Sequence, residues 1–397
     1  MDLRSKGGGE AVCMNVLEAL QDDYDVTLLT LSDPDIPGLN QYFNTDVEDI
    51  TVRRAGVLAP LLNRLIGRRR YILQNALLGR YAQRRTEEFD VVVSTINELG
   101  LRDDAIQYVH FPFDWTVSLD NREEIFHPTI EEDSLYERLC TSIAGVSLRD
   151  VQSSTLLANS PWTASVVEDA YGVEPEVLYP PIDTREFEPR PWATREEGFV
   201  TIGRVERSKR VLELIEILDG LRASGFDQHL HVIGPTADSA YGEEVTAAAD
   251  SRAHVHIEGE LPRSELVEMV CTHKYGIHGK EFEHFGMSVA ELIAGGTVTF
   301  VPDSGGQRTI VADDRQRYSS VANAIERIGS VLETEHGGRE LRSGPAAVNE
   351  RFGRDHFAER IETLVADALS RPPAVSVEST PTASPHVSSR RSVEGED

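Results

Sequence analysis

The chain has 397 residues, of which 40% are hydrophobic, and this suffices for two hydrophobic cores. Its 39 basic and 67 acidic side chains give a formal net charge of −28, and only four of the basic residues are lysines. This charge argues against general nucleic-acid binding, which relies on a basic surface. The sequence offers no uninterrupted apolar stretch long enough for a membrane span, and its first residues are not expected to form a signal peptide.

The three cysteines are Cys13, Cys140 and Cys271. Because they are odd in number and far apart, they predict neither a disulfide framework nor a zinc site. We expect them to be small buried hydrophobic residues in a reducing cytoplasm. A dense acidic surface that is almost free of lysine also suits a cytoplasm at multimolar salt, where charge repulsion is screened. The composition therefore predicts a cytoplasmic, salt-adapted (halophilic) protein.

Short β-branched runs alternate with helical patterns along the chain, and this order predicts parallel sheets. Five strands are predicted in the first half, at 25–31, 90–95, 105–111, 155–160 and 176–179. Five more are predicted in the second half, at 198–204, 228–234, 254–259, 275–279 and 297–303. Prolines at 180–181 and 189–191 interrupt regular structure and indicate a linker between the halves. We predict two α/β domains over 1–185 and 186–355, a C-terminal helix over 356–370 and a disordered tail over 371–397.

The segment 51–86 contains nine arginines and no acidic residue, in contrast to the rest of the chain. Leucines and isoleucines are interleaved with these arginines. A helix of this composition is typical of an element that lies on an anionic membrane surface. We therefore expect the region between Arg53 and Arg85 to contact a membrane. The alternative is that its leucines pack in the core while its arginines pair with acidic residues elsewhere.

Three glycines, Gly7, Gly8 and Gly9, precede a predicted helix near the start of the chain. Such a loop lets the backbone approach a ligand, and the free N–H groups of the helix terminus favour an anion. A plain turn is the alternative. A strand usually precedes a loop of this kind, but only six residues come before Gly7. Either the start of translation lies upstream, or the first sheet lacks its central strand.

Two basic residues, Arg204 and Lys209, follow the first predicted strand of the second half. The carboxyl edge of a parallel sheet, where such residues would lie, is the place where open α/β folds bind ligands. Two cations at this edge could neutralise a diphosphate. The alternative is that they form ordinary surface salt bridges.

Two glutamates, Glu283 and Glu291, stand eight residues apart around a predicted turn and helix. Phe285 and Gly286 are predicted to form the turn, and the helix is predicted to span 287–294. Glu283 would then lie in the loop and Glu291 on the helix, so that both could bind one polyhydroxylated ligand. The N-terminus of the helix could meet the phosphate of that ligand.

The string from Glu283 to Glu291 resembles the Glu-x7-Glu motif of the retaining glycosyltransferases of family 4. Other segments stand in the order of that family, namely the glycine loop with Glu10 and residues 109–112, 158–163, 179–183, 203–209 and 304–306. The resemblance implies the GT-B fold, in which two Rossmann-like domains have parallel sheets that face a central cleft. Residues 108–112, 283–296 and 304–306 are most similar to members that extend a lipid-linked oligosaccharide on the cytosolic face.

The resemblance also implies what each site residue does. The donor would be a UDP- or GDP-sugar, with no cofactor and no metal. Arg204 and Lys209 would neutralise its diphosphate, Glu291 would hold its ribose, and Glu283 would contact the transferred sugar. The further donor contacts that the family implies are Gly8, Gly9, Phe285, Gly286, Met287 and Ser288.

His110 would face the reacting sugar from the first domain of such an enzyme. It is expected to position the sugar or to handle a proton, because the pKa of a histidine can lie near neutrality. The alternative is a structural histidine at a strand end. The chain departs from many members of the family at Thr309, where they carry an acidic residue. The resemblance therefore implies no ligand contact for the loop after Gly305 and Gly306.

Together these features predict a retaining hexosyltransferase that is peripheral on the inner face of the membrane. Its partners would be a nucleotide sugar, with mannose as one candidate for the sugar, and a polyprenyl-linked glycan acceptor. One alternative is a glycosyltransferase whose acceptor is a soluble sugar. Another is a non-catalytic nucleotide-sugar-binding partner.

Salt adaptation predicts that the melting temperature rises between low salt and multimolar KCl, because screening relieves the repulsion among acidic side chains. Differential scanning calorimetry over a series of KCl concentrations measures this. A melting temperature that stays constant or falls would contradict the hypothesis.

Overall fold

The structure is a computed structural model that describes residues 3, 6–31, 33–55, 70–101, 105–113, 135–236, 239–334 and 336–370. The predicted tail over 371–397 lies outside the described residues, as does the middle of the arginine-rich segment, 56–69. Among the described residues, no helix has both the length and the apolar content needed to cross a bilayer. Cys13, Cys140 and Cys271 are buried, as the sequence predicted, and no two of them form a disulfide in the described part of the chain.

The first half of the chain contains helices and short parallel strands. Its elements are α1 (Gly8–Leu20), β1 (Thr27–Thr30), α2 (Ile36–Phe43), β2 (Thr51–Arg54), α3 (Arg70–Gln83), β3 (Val93–Ser94), β4 (Ile106–Val109), α4 (Leu135–Ala144), α5 (Leu148–Ser153), β5 (Thr155–Ala158), α6 (Pro161–Tyr171) and β6 (Glu176–Val177). The strands pair in the orders β1-β2 and β3-β4-β5-β6, all of them parallel.

The second half alternates strands and helices more regularly. Its elements are β7 (Glu196–Ile202), α7 (Val211–Ala223), β8 (His229–Ile233), α8 (Ala240–Asp250), β9 (Val255–Gly259), α9 (Arg263–Thr272), β10 (His273–Ile277), α10 (Met287–Ala294), β11 (Val298–Pro302), α11 (Gln307–Ile310), β12 (Arg317–Tyr318), α12 (Val321–Leu332), α13 (Pro345–Phe352) and α14 (Arg354–Ser370). One six-stranded parallel sheet has the order β12-β11-β10-β7-β8-β9.

The second sheet is covered on both faces, as its near-continuous apolar strands require. Phe199 on β7 belongs to the cluster formed with α7, α8 and α12, whereas its neighbour Val200 belongs to the cluster formed with α9, α10 and α13. Both side chains are fully buried. This double burial fixes the register of β7, and with it the position of the loop at the carboxyl end of the strand.

The first half departs from a single open sheet. Among the described residues, α1 has no strand before it, and the strands form two separate sheets instead of one. The last helix, α14, completes this half, because Phe357 and Ile361 pack in one buried cluster with Val12 and Val16 of α1. The domain boundaries at 185 and 355 stay predictions.

The prediction that the arginine-rich segment forms a helix was wrong for the first residues of the segment. Residues Thr51–Arg54 form β2, which pairs with β1, and the described part of α3 spans Arg70–Gln83. Arg53 pairs with Glu88, and Arg54 pairs with Asp33. Leu78 on α3 is buried. These contacts agree with the alternative interpretation for Leu78, Arg53 and Arg54, and contact of the segment with a membrane stays a prediction.

Arg354, at the start of α14, joins several distant segments of the chain. Its guanidinium donates to Asn15 Oδ1 at 2.7 Å, to the Asn44 carbonyl oxygen at 2.6 Å and to Asp183 Oδ2 at 3.2 Å. It also pairs with Glu18, and the side chain is only 11% exposed. One largely buried cation thus ties α14 to α1, to the end of α2 and to the linker.

We expect Arg354→Ala to lower the free energy of unfolding by about 3–5 kcal/mol, because it leaves partly buried carboxylates without their cation. The matched control is Arg360→Ala on the same helix. Its pair with Glu176 is 38% and 37% exposed, so the loss there should stay below about 1 kcal/mol. Urea denaturation of both variants at one salt concentration measures the difference. Equal losses would contradict the role assigned to Arg354.

Candidate functional site

The loops after β7 and β10 bring the predicted site residues to the carboxyl edge of the second sheet. Arg204 follows β7, and Lys209 lies in a 3-10 turn just before α7. Glu283 lies in the loop between β10 and α10, and Glu291 lies on α10 itself. The predicted helix over 287–294 has the predicted bounds. Parallel strands place their carboxyl ends side by side, so residues far apart in sequence meet at this edge.

Glu283 lies at the centre of a cluster of basic side chains. Its Oε2 accepts a hydrogen bond from Lys209 Nζ at 2.8 Å and lies 3.2 Å from His278 Nε2, while its Oε1 accepts from Lys280 Nζ at 3.1 Å. The carboxylate is only 12% exposed. Burial alone would raise the pKa of Glu283, but Lys209 and Lys280 outweigh it and hold that pKa well below its usual range.

Two ammonium groups therefore face one carboxylate, which leaves an excess positive charge at the edge of the sheet. Lys209 is 21% exposed and Lys280 is 22% exposed, so both remain accessible from the cleft. Such a site can hold an anion such as a phosphate, while the ionised carboxylate can accept hydrogen bonds from hydroxyl groups. Sequence reasoning found Lys209 and Glu283 but assigned no role to Lys280 or His278.

Arg204 lies outside this cluster. Its side chain is 72% exposed, and its Nη2 is 3.5 Å from a carboxylate oxygen of Glu206. The structure thus brings Lys209 and Glu283 together but leaves the guanidinium of Arg204 at the rim. An exposed pair of this kind is weak and leaves the arginine free to move toward an anion in the cleft.

The backbone beneath Glu283 is fixed by two glycines of the loop after β11. Gly306 N donates to the Glu283 carbonyl oxygen at 2.7 Å. A Cβ atom on Gly305 would lie 2.5 Å from the Glu283 carbonyl oxygen, and one on Gly306 would lie 2.1 Å from that of His284. Since only glycine permits this approach, the pair of glycines at 305–306 holds the loop that carries Glu283.

Helix α10 begins directly after this loop. Gly286 precedes it with a φ of 107°, a backbone conformation that favours glycine. Among the described residues, no side chain caps the helix at this position. Its first turn, with Met287 and Ser288, therefore presents backbone N–H groups and the positive end of the helix dipole. The Phe285 side chain packs in the core against Tyr179, so a ligand contact by Phe285 would come from its backbone.

Glu291 is held by an arginine that sequence reasoning missed. Arg263 Nη1 lies 2.8 Å from Glu291 Oε1, and the same guanidinium pairs with Glu186. Burial would lower the pKa of Arg263, but Glu291 and Glu186 raise it. The arginine is therefore a fixed cation that orients Glu291. No spacing in the sequence links Arg263 on α9 to Glu291, because only the tertiary fold brings them together.

His110 follows β4 in the first half and is held by its own domain. Its backbone N–H donates to Asn97 Oδ1 at 2.6 Å, and its Nε2 lies 3.1 Å from the Thr95 carbonyl oxygen. Burial lowers the pKa of His110 to about 4. This pKa lies below the neutral range that a histidine can reach, because the ring is desolvated. At neutral pH the imidazole is uncharged, which suits positioning a hydroxyl group better than supplying a proton.

The two halves meet around the loop that carries Glu283. The ring of His284 stacks on Phe111 with 4.5 Å between centroids, and Ser160 Oγ donates to the His284 carbonyl oxygen at 2.5 Å. The glycine loop approaches from the same side, since a Cβ atom on Gly8 would lie 2.8 Å from Met287 Sδ. The predicted residues Gly8 and Gly9 thus begin a helix whose N-terminus lies close to that of α10.

Most of these residues lie in a part of the chain that matches a known family. Residues 183–342 match the family of glycosyl transferases group 1. The chain contains a group 1 glycosyl transferase domain. This domain includes Arg204, Lys209, Glu283 and Glu291, whereas His110 precedes it.

Two curated relatives are both named GDP-Man:Man(3)GlcNAc(2)-PP-Dol alpha-1,2-mannosyltransferase. The one from Dictyostelium discoideum is 22% identical over 243 residues, which cover 55% of this chain and 48% of the relative. The one from Caenorhabditis elegans is 24% identical over 247 residues, which cover 54% and 52%. The chain thus spans about half the length of the curated relatives it matches.

Solved structures extend the likeness to nearly the whole chain at the level of the fold. Anabaena Alr3699/HepE, in complex with UDP and glucose, is 14% identical with a TM-score of 0.65, and the match covers 91% of this chain and 96% of that one. The chain has the GT-B fold, with two sets of parallel sheets, as the sequence resemblance implied.

Proposed function

We propose that the chain is a retaining glycosyltransferase that moves a hexose from a nucleoside-diphosphate sugar to a polyprenyl-linked glycan, with no metal in the transfer step. The observation that carries this proposal is the cluster of Lys209 and Lys280 around Glu283, beside the N-terminus of α10 and inside a group 1 domain. The positive charge suits the diphosphate of the donor, and the adjacent carboxylate suits the hydroxyl groups of its sugar.

The reaction requires stabilisation of the departing diphosphate. The bond between the anomeric carbon and the diphosphate oxygen breaks, and its electron pair stays on the diphosphate. A hydroxyl oxygen of the acceptor forms the new bond to that carbon, and the hydroxyl proton passes to the departing diphosphate. Lys209 is already in place to stabilise the developing charge, and Arg204 can swing in from the rim. The N-terminus of α10 adds its dipole.

The remaining residues hold the donor in position. Glu283 binds hydroxyl groups of the transferred sugar, and Lys209 and Lys280 keep it ionised for that purpose. Glu291, oriented by Arg263, binds the ribose hydroxyls. The uncharged imidazole of His110 faces the sugar from the other half of the cleft. Backbone groups of Gly8, Gly9, Phe285, Gly286, Met287 and Ser288 complete the proposed donor contacts.

GDP-mannose is the first donor to test, because both curated relatives are named for its use with a dolichol-diphosphate-linked acceptor. A UDP-sugar is the alternative donor. The enzyme would act at the inner face of the membrane, as a peripheral protein that takes both substrates from the cytoplasmic side.

We expect Lys209→Ala and Glu291→Gln each to lower kcat/KM about 10²- to 10³-fold with the preferred donor, since each removes a group that binds donor or transition state. The measurement is sugar transfer to a lipid-linked acceptor. The control is Arg315→Ala, which removes an exposed arginine that pairs with Asp313 and has no proposed contact with the donor, so this variant should retain activity. Near wild-type transfer by Lys209→Ala or Glu291→Gln would contradict the proposal.

A soluble acceptor is the second candidate, because the described part of the arginine-rich segment buries Leu78 and pairs Arg53 and Arg54 with acidic residues. Flotation with vesicles containing anionic phosphatidylglycerol, compared with pure phosphatidylcholine vesicles, distinguishes the two. Membrane action predicts co-flotation with the anionic vesicles only. An absence of co-flotation together with transfer to a soluble sugar would establish the soluble acceptor.

A further inference from the structure

A cluster of histidines lies at the amino ends of the strands in the second sheet. His229 and His231 are on β8, and His273 is the first residue of β10. One ring nitrogen from each lies within 4.8 Å of those of the other two. The proposed donor site is built at the carboxyl ends of the same strands. The histidine cluster is therefore a separate feature, and the transfer reaction makes no use of it.

The three rings meet because the strand between them has a glycine, and therefore no side chain, at the position beside His229. Strand β7 separates β8 from β10 in the sheet, and its residue Gly198 pairs with His229. A Cβ atom on Gly198 would lie 2.2 Å from His229 Nε2. The glycine thus leaves room for the His229 ring to lie across β7, where its Nε2 comes within 3.2 Å of His273 Nε2.

The hydrogen bonds of two rings select the tautomer that a metal ligand needs. His273 Nδ1 lies 2.7 Å from the Met269 carbonyl oxygen, and His231 Nδ1 lies 2.6 Å from a carboxylate oxygen of Glu258. Each Nδ1–H donates to its oxygen, which leaves the lone pair on Nε2. Metal-ligating histidines typically donate their second ring N–H to a carbonyl or carboxylate in this way.

A carboxylate completes the set of ligands. Glu196 Oε2 lies 3.7 Å from His273 Nε2 and 3.8 Å from His229 Nε2. The Glu196 side chain is 60% exposed, so it can move toward a cation.

We propose that His229, His231 and His273, together with Glu196, form a binding site for a divalent transition-metal cation such as Zn²⁺. A tetrahedral zinc site with Zn–N bonds of about 2.0–2.1 Å places its nitrogens roughly 3.3 Å apart. The pair formed by His229 and His273 already has this spacing at 3.2 Å. Small side-chain rotations would bring His231 and Glu196 to the same distance. The cation would join β7, β8 and β10 and would have a structural role.

The alternative is a cluster held only by ring contacts and hydrogen bonds. His256 stacks on His231 with 4.9 Å between centroids, which shows how such a cluster would pack. In that case His229 Nε2–H donates to His273 Nε2, and the protein has no specific affinity for a metal. The two interpretations differ in the binding of Zn²⁺, which is directly measurable.

The test is isothermal titration of ZnCl₂ into the full chain, prepared without a histidine tag and freed of metal by a chelator. We expect one Zn²⁺ per chain, with a Kd that weakens at least about tenfold in the double variant His229→Ala/His231→Ala, which removes two ligands. The matched control is His256→Ala, which removes a stacked ring but no proposed ligand, and its Kd should be unchanged.

Two further variants keep the test decisive if the double variant fails to fold. Gly198→Ala places a methyl group against the His229 ring, and Glu196→Gln changes only an exposed side chain. Both should weaken Zn²⁺ binding, and Zn²⁺ should raise the Tm of the wild type more than that of either variant. The absence of saturable binding by the wild type would overturn the proposal. Equal affinity in the wild type and in every folded variant that alters a proposed ligand would also overturn it.

Discussion

The contact between Glu283 and two lysines is the interaction on which the rest of the site depends. A nearly buried carboxylate needs cations close to it, and Lys209 and Lys280 supply two positive charges for one negative charge. The surplus makes the edge of the sheet attractive to an anion, and the ionised carboxylate remains available to hydroxyl groups. The same arrangement therefore stabilises the loop and suits the proposed ligand, which has both phosphate and hydroxyl groups.

Two other parts of the chain hold the loop that carries Glu283 in position, namely the loop after β11 and the first half. The backbone of the loop rests on Gly305 and Gly306, which approach it more closely than any other residue could. The carbonyl of His284 accepts hydrogen bonds from Ser160 and Thr163 of the first half. Because these contacts cross the cleft, the loop that carries Glu283 also joins the two halves.

Most elements of this architecture follow from local patterns in the sequence. All ten predicted strands are present, and the helix Met287–Ala294 has the predicted bounds, because a tight turn and apolar spacing define it locally. Strand β2 was missed because its four residues are all exposed and show no alternation of apolar side chains. The ion pair of Arg263 with Glu291 and the meeting of His229 with His273 were also missed. The ion pair arises from the packing of α9 and α10 in one cluster, and the meeting of the histidines arises from strand order and from Gly198. No sequence spacing indicates either.

The pKa of His110 shows a second limit of sequence reasoning. The residue was found through the family resemblance of residues 109–112, but its charge state depends on burial, which the local sequence does not give. Thermal unfolding with a panel of GDP- and UDP-sugars measures whether the cluster around Glu283 binds a nucleotide sugar. We expect one donor to raise the Tm of the wild type and Lys209→Ala to lose this rise. An unchanged Tm with every donor, or an equal rise in the variant, would contradict the proposed binding.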